Sequence, residues 1–190
     1  MRRTLLSSLL PCVQYNLNRQ QTRVRLFETG LRFVGTDIAS LEQTDSLALV
    51  AVGDRVSEQP NATKGMDFYD LKADVEALIP ADLRQTGAIS YQRSVQPFLH
   101  MGQSADMLWQ GQVIGWLGQL HPLIAKAMDL PTTWVAQLDI KPLLAMRERQ
   151  RSIVSPSKFP QVRRDIAVLV DDKIAVQDLM NTIRQAGGAL

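Results

Sequence analysis

The sequence predicts an α+β domain built on an antiparallel sheet, and three stretches carry that reading. Residues 99–122, LHMGQSADMLWQGQVIGWLGQLHP, read as a hairpin: strands 104–109 and 113–118 joined by a tight turn at Gln110-Gly111-Gln112. Ala105, Met107, Trp109, Val113, Trp116, Leu117 and Leu120 supply apolar cover, while Gly115 and Gly118 permit close backbone approach. Residues 46–53, SLALVAVG, form a continuous apolar run of strand length, the pattern of a central strand covered on both faces. Leu71, Val75 and Leu78 recur at helical spacing in a segment opened by Asp67 or Asp70, running to Ile79 and stopped by Pro80. Short loops, a hairpin and helices inserted between strands are the signature of an antiparallel α+β layer.

Taken in order, Ser8 is placed to cap a helix over residues 9–19, with Pro11 tolerated in its first turn and Leu9, Val13 and Leu17 on one face. Residues 23–28 alternate as a half-buried strand; Gly30 breaks the pattern and residues 31–34 resume it. The polar stretches 35–45 and 54–65 read as loops. Residues 88–93 form a further strand. After the hairpin, His121-Pro122 begins a short helix to Met128. Residues 133–140 set Val135/Gln137/Asp139 against Trp134/Ala136/Leu138/Ile140, a strand with one buried face, and residues 141–147 close the unit as a helix. A charged and turn-forming linker, residues 148–156, follows. Beyond it lie one strand, 165–170, and one helix, 176–186, ended by Gly187-Gly188. One strand and one helix cannot bury a core, so residues 157–190 read as the start of a second domain.

Composition narrows the function classes. The 190 residues suffice for one moderate domain with part of another. No run of about 18 apolar residues occurs, so no transmembrane helix and no membrane partner are predicted. The opening MRRTLLSSLLPC imitates a signal peptide, but Ser7, Ser8 and Pro11 interrupt its apolar run and no small-residue cleavage site follows. Cys12 is the only cysteine, which excludes an internal disulfide and a thiolate metal cluster and makes the cytoplasm the default compartment. A net charge of +2 is too small to identify a nucleic-acid partner, so basic character has to be local.

Four groups of residues are candidates for chemistry. His100 and His121, the only histidines, bracket the hairpin, but a zinc site needs three or four ligands and only carboxylates remain to complete one. His121, directly before Pro122, is also suited to satisfy a helix start. Asp67, Asp70, Asp74 and Glu76 cluster at helical spacing, able to bind magnesium or to complement a helix dipole. The glycines match no phosphate-loop fingerprint, and no nucleophile elbow is present. Lys158, Arg163 and Arg164, with Phe159 as a stacking partner, are a candidate RNA contact or the solvated entry to a strand.

The series MRRTLLSSLL, YNLNRQQTRVRLFETGLRF, MDFYDLKADVEALI, LHMGQSA, IGWLGQLHP and SKFPQVRRDIAVLV, in that order, resembles the beta subunit of bacterial phenylalanine–tRNA ligases. Met101 stands where the family has proline, and Pro11 and Cys12 vary the first helix. The resemblance implies that residues 1–147 form a non-catalytic module of class II aminoacyl-tRNA synthetase type, an antiparallel sheet with flanking helices. Residues 157–190 would begin a ferredoxin-like anticodon-binding domain, cut short. The family's editing and other RNA-binding parts, and the first class II motif, would precede Met1.

The same resemblance sets functional expectations. The family esterifies tRNA with phenylalanine, using ATP and magnesium, as a cytoplasmic heterotetramer of two alpha and two beta subunits. The alpha subunit holds the working site, and the beta module supports assembly. Aligned on the second class II motif, FETGLRFV places Val34 where an ATP-gripping arginine stands in active members. In place of the glycine-rich third motif, VAQLDIKPLLAM carries Lys141-Pro142. No catalytic, cofactor or metal residue is therefore assigned, and Lys158, Arg163 and Arg164 are assigned to tRNA. Two other readings remain: a free-standing RNA-binding or interaction module, and a metal-dependent enzyme built on the histidines and the acidic cluster.

Overall fold

A computed structural model describes residues 2–35, 37, 40–56, 65–148 and 165–187. The chain divides into two compact units, Met1–Glu148 and Arg149–Leu190. The first unit runs α1 (Leu6–Leu17), β1 (Val24–Val34), β2 (Glu42–Val52), α2 (Phe68–Glu76), α3 (Ala81–Gln85), β3 (Ile89–Arg93), β4 (Leu99–Trp109), β5 (Gln112–Leu120), α4 (Pro122–Ala127), β6 (Thr133–Asp139) and α5 (Ile140–Glu148). Its six strands form one antiparallel sheet in the order β1-β2-β6-β5-β4-β3. The α+β reading with an antiparallel sheet and flanking helices holds.

Helices pack on both sides of that sheet. On one face Met107, Leu117, Trp134, Ala136 and Leu138 meet Leu71 and Val75 of α2, Leu83 of α3 and Met146 of α5. The Trp134 indole N–H donates to the Met66 carbonyl at 2.9 Å, so its polar edge is satisfied inside the core. On the other face Val24, Val50, Val52, Trp116, Leu120 and Val135 meet Leu9 and Val13 of α1 and Ala125 of α4. The 46–53 run is thus a central strand, as its continuous apolarity predicts.

Several local readings change. Gly30 does not divide a strand: β1 is continuous because Gly30 pairs with Ser46 in an unbroken ladder. The stretch 35–45 is only partly a loop, since β2 resumes the ladder at Glu42. Helix α1 begins at Leu6 with Leu5 at its N-cap and no side-chain cap; Ser8 is inside it. Helix α2 ends at Glu76, short of the Ile79 expected, and Pro80 stands instead at the N-cap of α3, a short helix the periodicity does not show. Strand β6 is buried on both faces through Leu138, because it lies between β2 and β5 under helices from each side.

The hairpin is longer and its turn tighter than the sequence reading. Trp109 pairs with Gln112, leaving Gln110 and Gly111 as the two turn residues, at φ 52° and 76°. Positive φ at both positions is the turn that matches strand twist. Between the pairs Met107–Gly115 and Leu108–Val113 the register slips, and the extra residue Ile114 enters the α2-side core.

In the second unit, α6 (Val176–Gly187) forms as the sequence predicts. Residues 165–170 are not a strand. No neighbouring strand among the described residues offers them a ladder, and Ile166 and Leu169 are exposed. The proposed linker lies almost wholly outside the described residues.

A β-carbon built on Gly115 would overlap the Gln137 carbonyl and meet Leu138. Gly115→Ala is therefore expected to push β5 from β6 and cost about 1–3 kcal/mol. Urea unfolding checks this: the midpoint should fall with an unchanged slope.

Candidate functional site

Strand alternation and the register place one row of polar side chains across the α1-side face of the sheet. Glu28 and Arg32 come from β1, Ser46 from β2, Gln137 and Asp139 from β6, and Asp106 from β4. Ser46 lies opposite Asp139, and Gln137 lies opposite both Ala48 and Trp116, which in turn faces Asp106. The sequence reading treats Gln137 and Asp139 as the wet side of an amphipathic strand. Instead Gln137 is only 3% exposed, because the start of α1 lies over it.

The segment before α1 is tied to that row by hydrogen bonds. Gln137 Oε1 accepts from Thr4 Oγ1 at 2.8 Å and from the Leu5 backbone N–H at 3.1 Å. The Leu5 N–H belongs to a helix start with no cap of its own, so a strand side chain supplies the missing acceptor. One residue group further out, the Arg2 guanidinium pairs with Glu28 at 2.6 Å and donates to the Leu31 carbonyl at 3.1 Å. The Arg2 carbonyl accepts from the Phe33 N–H at 2.9 Å. Together these contacts cover part of the free edge of β1, a place where unpaired backbone would invite another strand. Gly30 leaves room for this, because a β-carbon there would overlap the Arg2 guanidinium. Its sequence signal as a strand breaker is in fact an accommodation of Arg2.

Each cation in the row meets an anion. Arg32 donates to Asp139 Oδ1 at 2.7 Å and to Ser46 Oγ at 2.8 Å. Ser8, inside α1, donates to Glu28 and receives a long contact from Arg2 at 3.5 Å. The Ser8 hydroxyl above all holds the Glu28 carboxyl below its usual range; partial burial opposes this and the Arg2 guanidinium adds to it. Val34, the position aligned with a phosphate-gripping arginine, ends β1 two residues beyond Arg32. Arg32 itself is engaged with a carboxylate and a hydroxyl of its own sheet. Around Arg2 and Arg32 the row forms two closed groups whose charges are spent on one another; Asp106, further along it, is buried with Oδ1 unpartnered among the described residues.

The other candidates take structural roles. Asp67 caps α2, accepting from the Tyr69 and Asp70 N–H groups at 2.8 and 3.0 Å, and Asp70 returns the contact to the Asp67 N–H. Asp70 also pairs with Arg55, Asp74 with Arg25, and Glu76 with Lys72. The acidic cluster is thus a capping box followed by three ion pairs. His121 Nδ1 accepts from the Leu123 N–H at 3.3 Å at the start of α4, and His100 Nδ1 accepts from the Gly102 N–H at 3.0 Å. No group of three His, Cys, Asp or Glu side chains among the described residues is arranged to hold a metal. Cys12 is exposed on α1. Lys158, Arg163 and Arg164 lie outside the described residues. Sequence reasoning missed Arg2, Glu28, Arg32, Gln137 and Asp139; polar residues at alternate positions of an otherwise apolar strand are the signal for the last two.

A family model described as the phenylalanyl tRNA synthetase beta chain CLM domain matches residues 1–140. A phenylalanine–tRNA ligase beta subunit from Psychrobacter arcticus is 60% identical over 190 residues, covering 100% of this chain and 24% of its own length. The corresponding subunit from Acinetobacter baylyi is 51% identical over 194 residues, with the same 100% and 24% coverage. The chain therefore spans about a quarter of the length of the curated relatives it matches. Among solved structures, a pyrrolysyl tRNA synthetase from Desulfitobacterium hafniense superposes with a TM-score of 0.48 at 17% identity, over 78% of this chain and 50% of that one.

The lowered Glu28 value fixes a pH dependence. A carboxyl depressed on folding adds stability above its unfolded value, near pH 4.3, and loses it as pH falls through the lower folded value. Glu28→Gln should cost about 1 kcal/mol at neutral pH, a difference that shrinks as pH falls below the unfolded carboxyl value. Urea midpoints of both proteins across that range check it.

Proposed function

Since the chain belongs to the phenylalanyl tRNA synthetase beta chain CLM-domain family, we propose that it serves as the non-catalytic, assembly-supporting module of a phenylalanine–tRNA ligase beta subunit. The parent enzyme would attach phenylalanine to its tRNA in the cytoplasm, with ATP and magnesium at the alpha subunit, as an alpha2 beta2 heterotetramer. Residues 1–147 would form the synthetase-like module of class II type, 148–156 a linker, and 157–190 the start of a ferredoxin-fold anticodon-binding domain. Among the described residues, no helix is long and apolar enough to cross a membrane.

One observation carries the inactive reading: Arg32, two residues from the vacated Val34 position on β1, is held by Asp139 and Ser46 within the sheet, while Arg3 donates to the Gly35 carbonyl. A triphosphate arriving there would have to break an ion pair to obtain a guanidinium, whereas an active site presents donors already free and aimed. Isothermal titration of this chain with ATP and phenylalanine should show no binding; micromolar binding would overturn the reading. The assembly role is tested by exchange. Placed in the Psychrobacter arcticus beta subunit in place of the matching quarter, the chain should co-purify with that organism's alpha subunit and support phenylalanylation of tRNA. Failure to assemble would overturn it.

Lys158, Arg163 and Arg164 are assigned to the tRNA backbone, on the strength of their clustering at the entry to the second unit. In the exchanged subunit, Arg163→Ala with Arg164→Ala should weaken tRNA binding and lower its salt slope by about 1–2. Unchanged affinity and slope would remove the assignment.

A further inference from the structure

At the β3 edge of the sheet, on the side away from α1, a cleft of about 460 Å³ opens between the start of α2 and strands β3 and β4. Its size falls in the range of small-molecule sites. The polar row on the opposite face plays no part in it, and nothing in the activity proposed above uses it.

Three features of its wall are unusual. Tyr69 is 73% exposed, and its ring meets Phe68 edge-on, with centroids 5.6 Å apart at 82°, so a flat face is left open. Tyr91 stands beside it as a second ring. Burial, with the Glu76 carboxylate added, pushes the Tyr91 phenol up, so it stays a neutral donor, giving its proton to Glu76 at 3.0 Å. The Arg93 side chain, exposed at the end of β3, makes no ion pair or hydrogen bond among the described residues. Elsewhere in the unit, Arg2, Arg25, Arg32 and Arg55 each hold a carboxylate.

The floor supplies hydrogen-bonding groups of both kinds. Strand β3 ends where Arg93 pairs with Ala105, but β4 begins six residues earlier on its own line, at Leu99. Gln103 and the backbone beside it therefore line the cleft as a stretch of β4 that β3 does not cover, while the Ser104 side chain falls on the Asp106 face. A side-chain amide can both donate and accept, as can uncovered strand backbone. Asp67, the one carboxylate on the wall, is absorbed by the Tyr69 and Asp70 N–H groups of the α2 cap.

An open aromatic face, an unpaired guanidinium and adaptable polar groups within one cleft match a nucleotide: the base stacks, the phosphate takes the cation, the base edge takes the Gln103 amide and uncovered strand backbone. An acidic peptide would use Arg93 but leave the Tyr69 face idle. We propose that this cleft holds one nucleotide of single-stranded RNA, its base on Tyr69 and its phosphate on Arg93. The proposal rests on the chain's place in a tRNA-charging subunit.

The test uses the chain itself with fluorescein-labelled hexauridylate and hexaadenylate, read by anisotropy at low and moderate salt. Both oligonucleotides should bind. Tyr69→Ala should weaken binding about tenfold, and Tyr69→Phe, which keeps the ring, by less than about twofold. Arg93→Gln should weaken it and flatten the salt slope by about 0.7, the share of one single-strand phosphate. Both side chains are exposed, so an unchanged urea midpoint verifies that the variants remain folded. Absence of binding, equal losses in Tyr69→Phe and Tyr69→Ala, variants without effect, or displacement of the RNA by a polyglutamate peptide would each overturn the proposal. Assembly of the exchanged subunit with no oligonucleotide binding would overturn the cleft alone. Binding with the expected variant pattern in a chain that fails to assemble would overturn the subunit reading alone.

Discussion

The Gln137 side-chain amide is the contact on which the arrangement of the first unit depends. It projects from β6, a central strand, and accepts from Thr4 and Leu5, more than 130 residues away in sequence. The helix start has no cap of its own, so without this acceptor the buried Leu5 N–H would be left unsatisfied, at a cost of about 1–3 kcal/mol. With the helix start fixed there, Leu5, Leu9 and Val13 reach the β2 and β6 core, and Arg2 arrives beside Glu28 and the outer edge of β1. A single polar contact in the middle of an apolar sheet thereby sets both the cover of one face and the closure of one edge.

This has a consequence for chemistry. A catalytic sheet face must keep charged groups oriented toward a ligand and unspent when the ligand is absent, which costs stability. Two groups on the α1-side face do the opposite. Arg2, Ser8 and Glu28 form one closed group, and Arg32, Ser46 and Asp139 form another. Each partly exposed ion pair contributes only about 1 kcal/mol, but together they fix β1 to its neighbours and to α1 without a ligand. Polar residues used in this way suit the non-catalytic role proposed above.

The parts of the fold set by backbone and apolar periodicity were legible. Residues 46–53 read as a central strand because an unbroken apolar run has no face left for water, and β2 is flanked on both edges. His121 read as a helix-start residue because it precedes Pro122, and it accepts from Leu123. What failed was inference from polarity to exposure. Gln137 and Asp139 alternate with apolar residues, which in isolation means a wet face; the start of α1, from the far end of the sequence, covers Gln137, and Arg32 of β1 engages Asp139. Gly30 failed for the same reason, since the group it accommodates is the remote Arg2. The 165–170 segment failed for a different one: strand propensity is a statement about side chains, whereas a strand needs a neighbour's backbone.

The acidic cluster shows how composition misleads about sites. Four carboxylates within ten residues invite a metal, yet a helix start needs acceptors and a basic sheet edge needs counter-charges. Asp67 and Asp70 meet the first need, and Asp70 and Asp74 meet the second through Arg55 and Arg25, which reach α2 from across a sheet edge. Glu76 is shared between Lys72 and the Tyr91 hydroxyl, tying α2 to β3. Each carboxylate is accounted for by the packing of one nine-residue helix onto the sheet. At the opposite edge of the sheet Arg93 is a cation that holds no carboxylate among the described residues, because those of α2 are already committed to Arg55, Arg25 and Lys72.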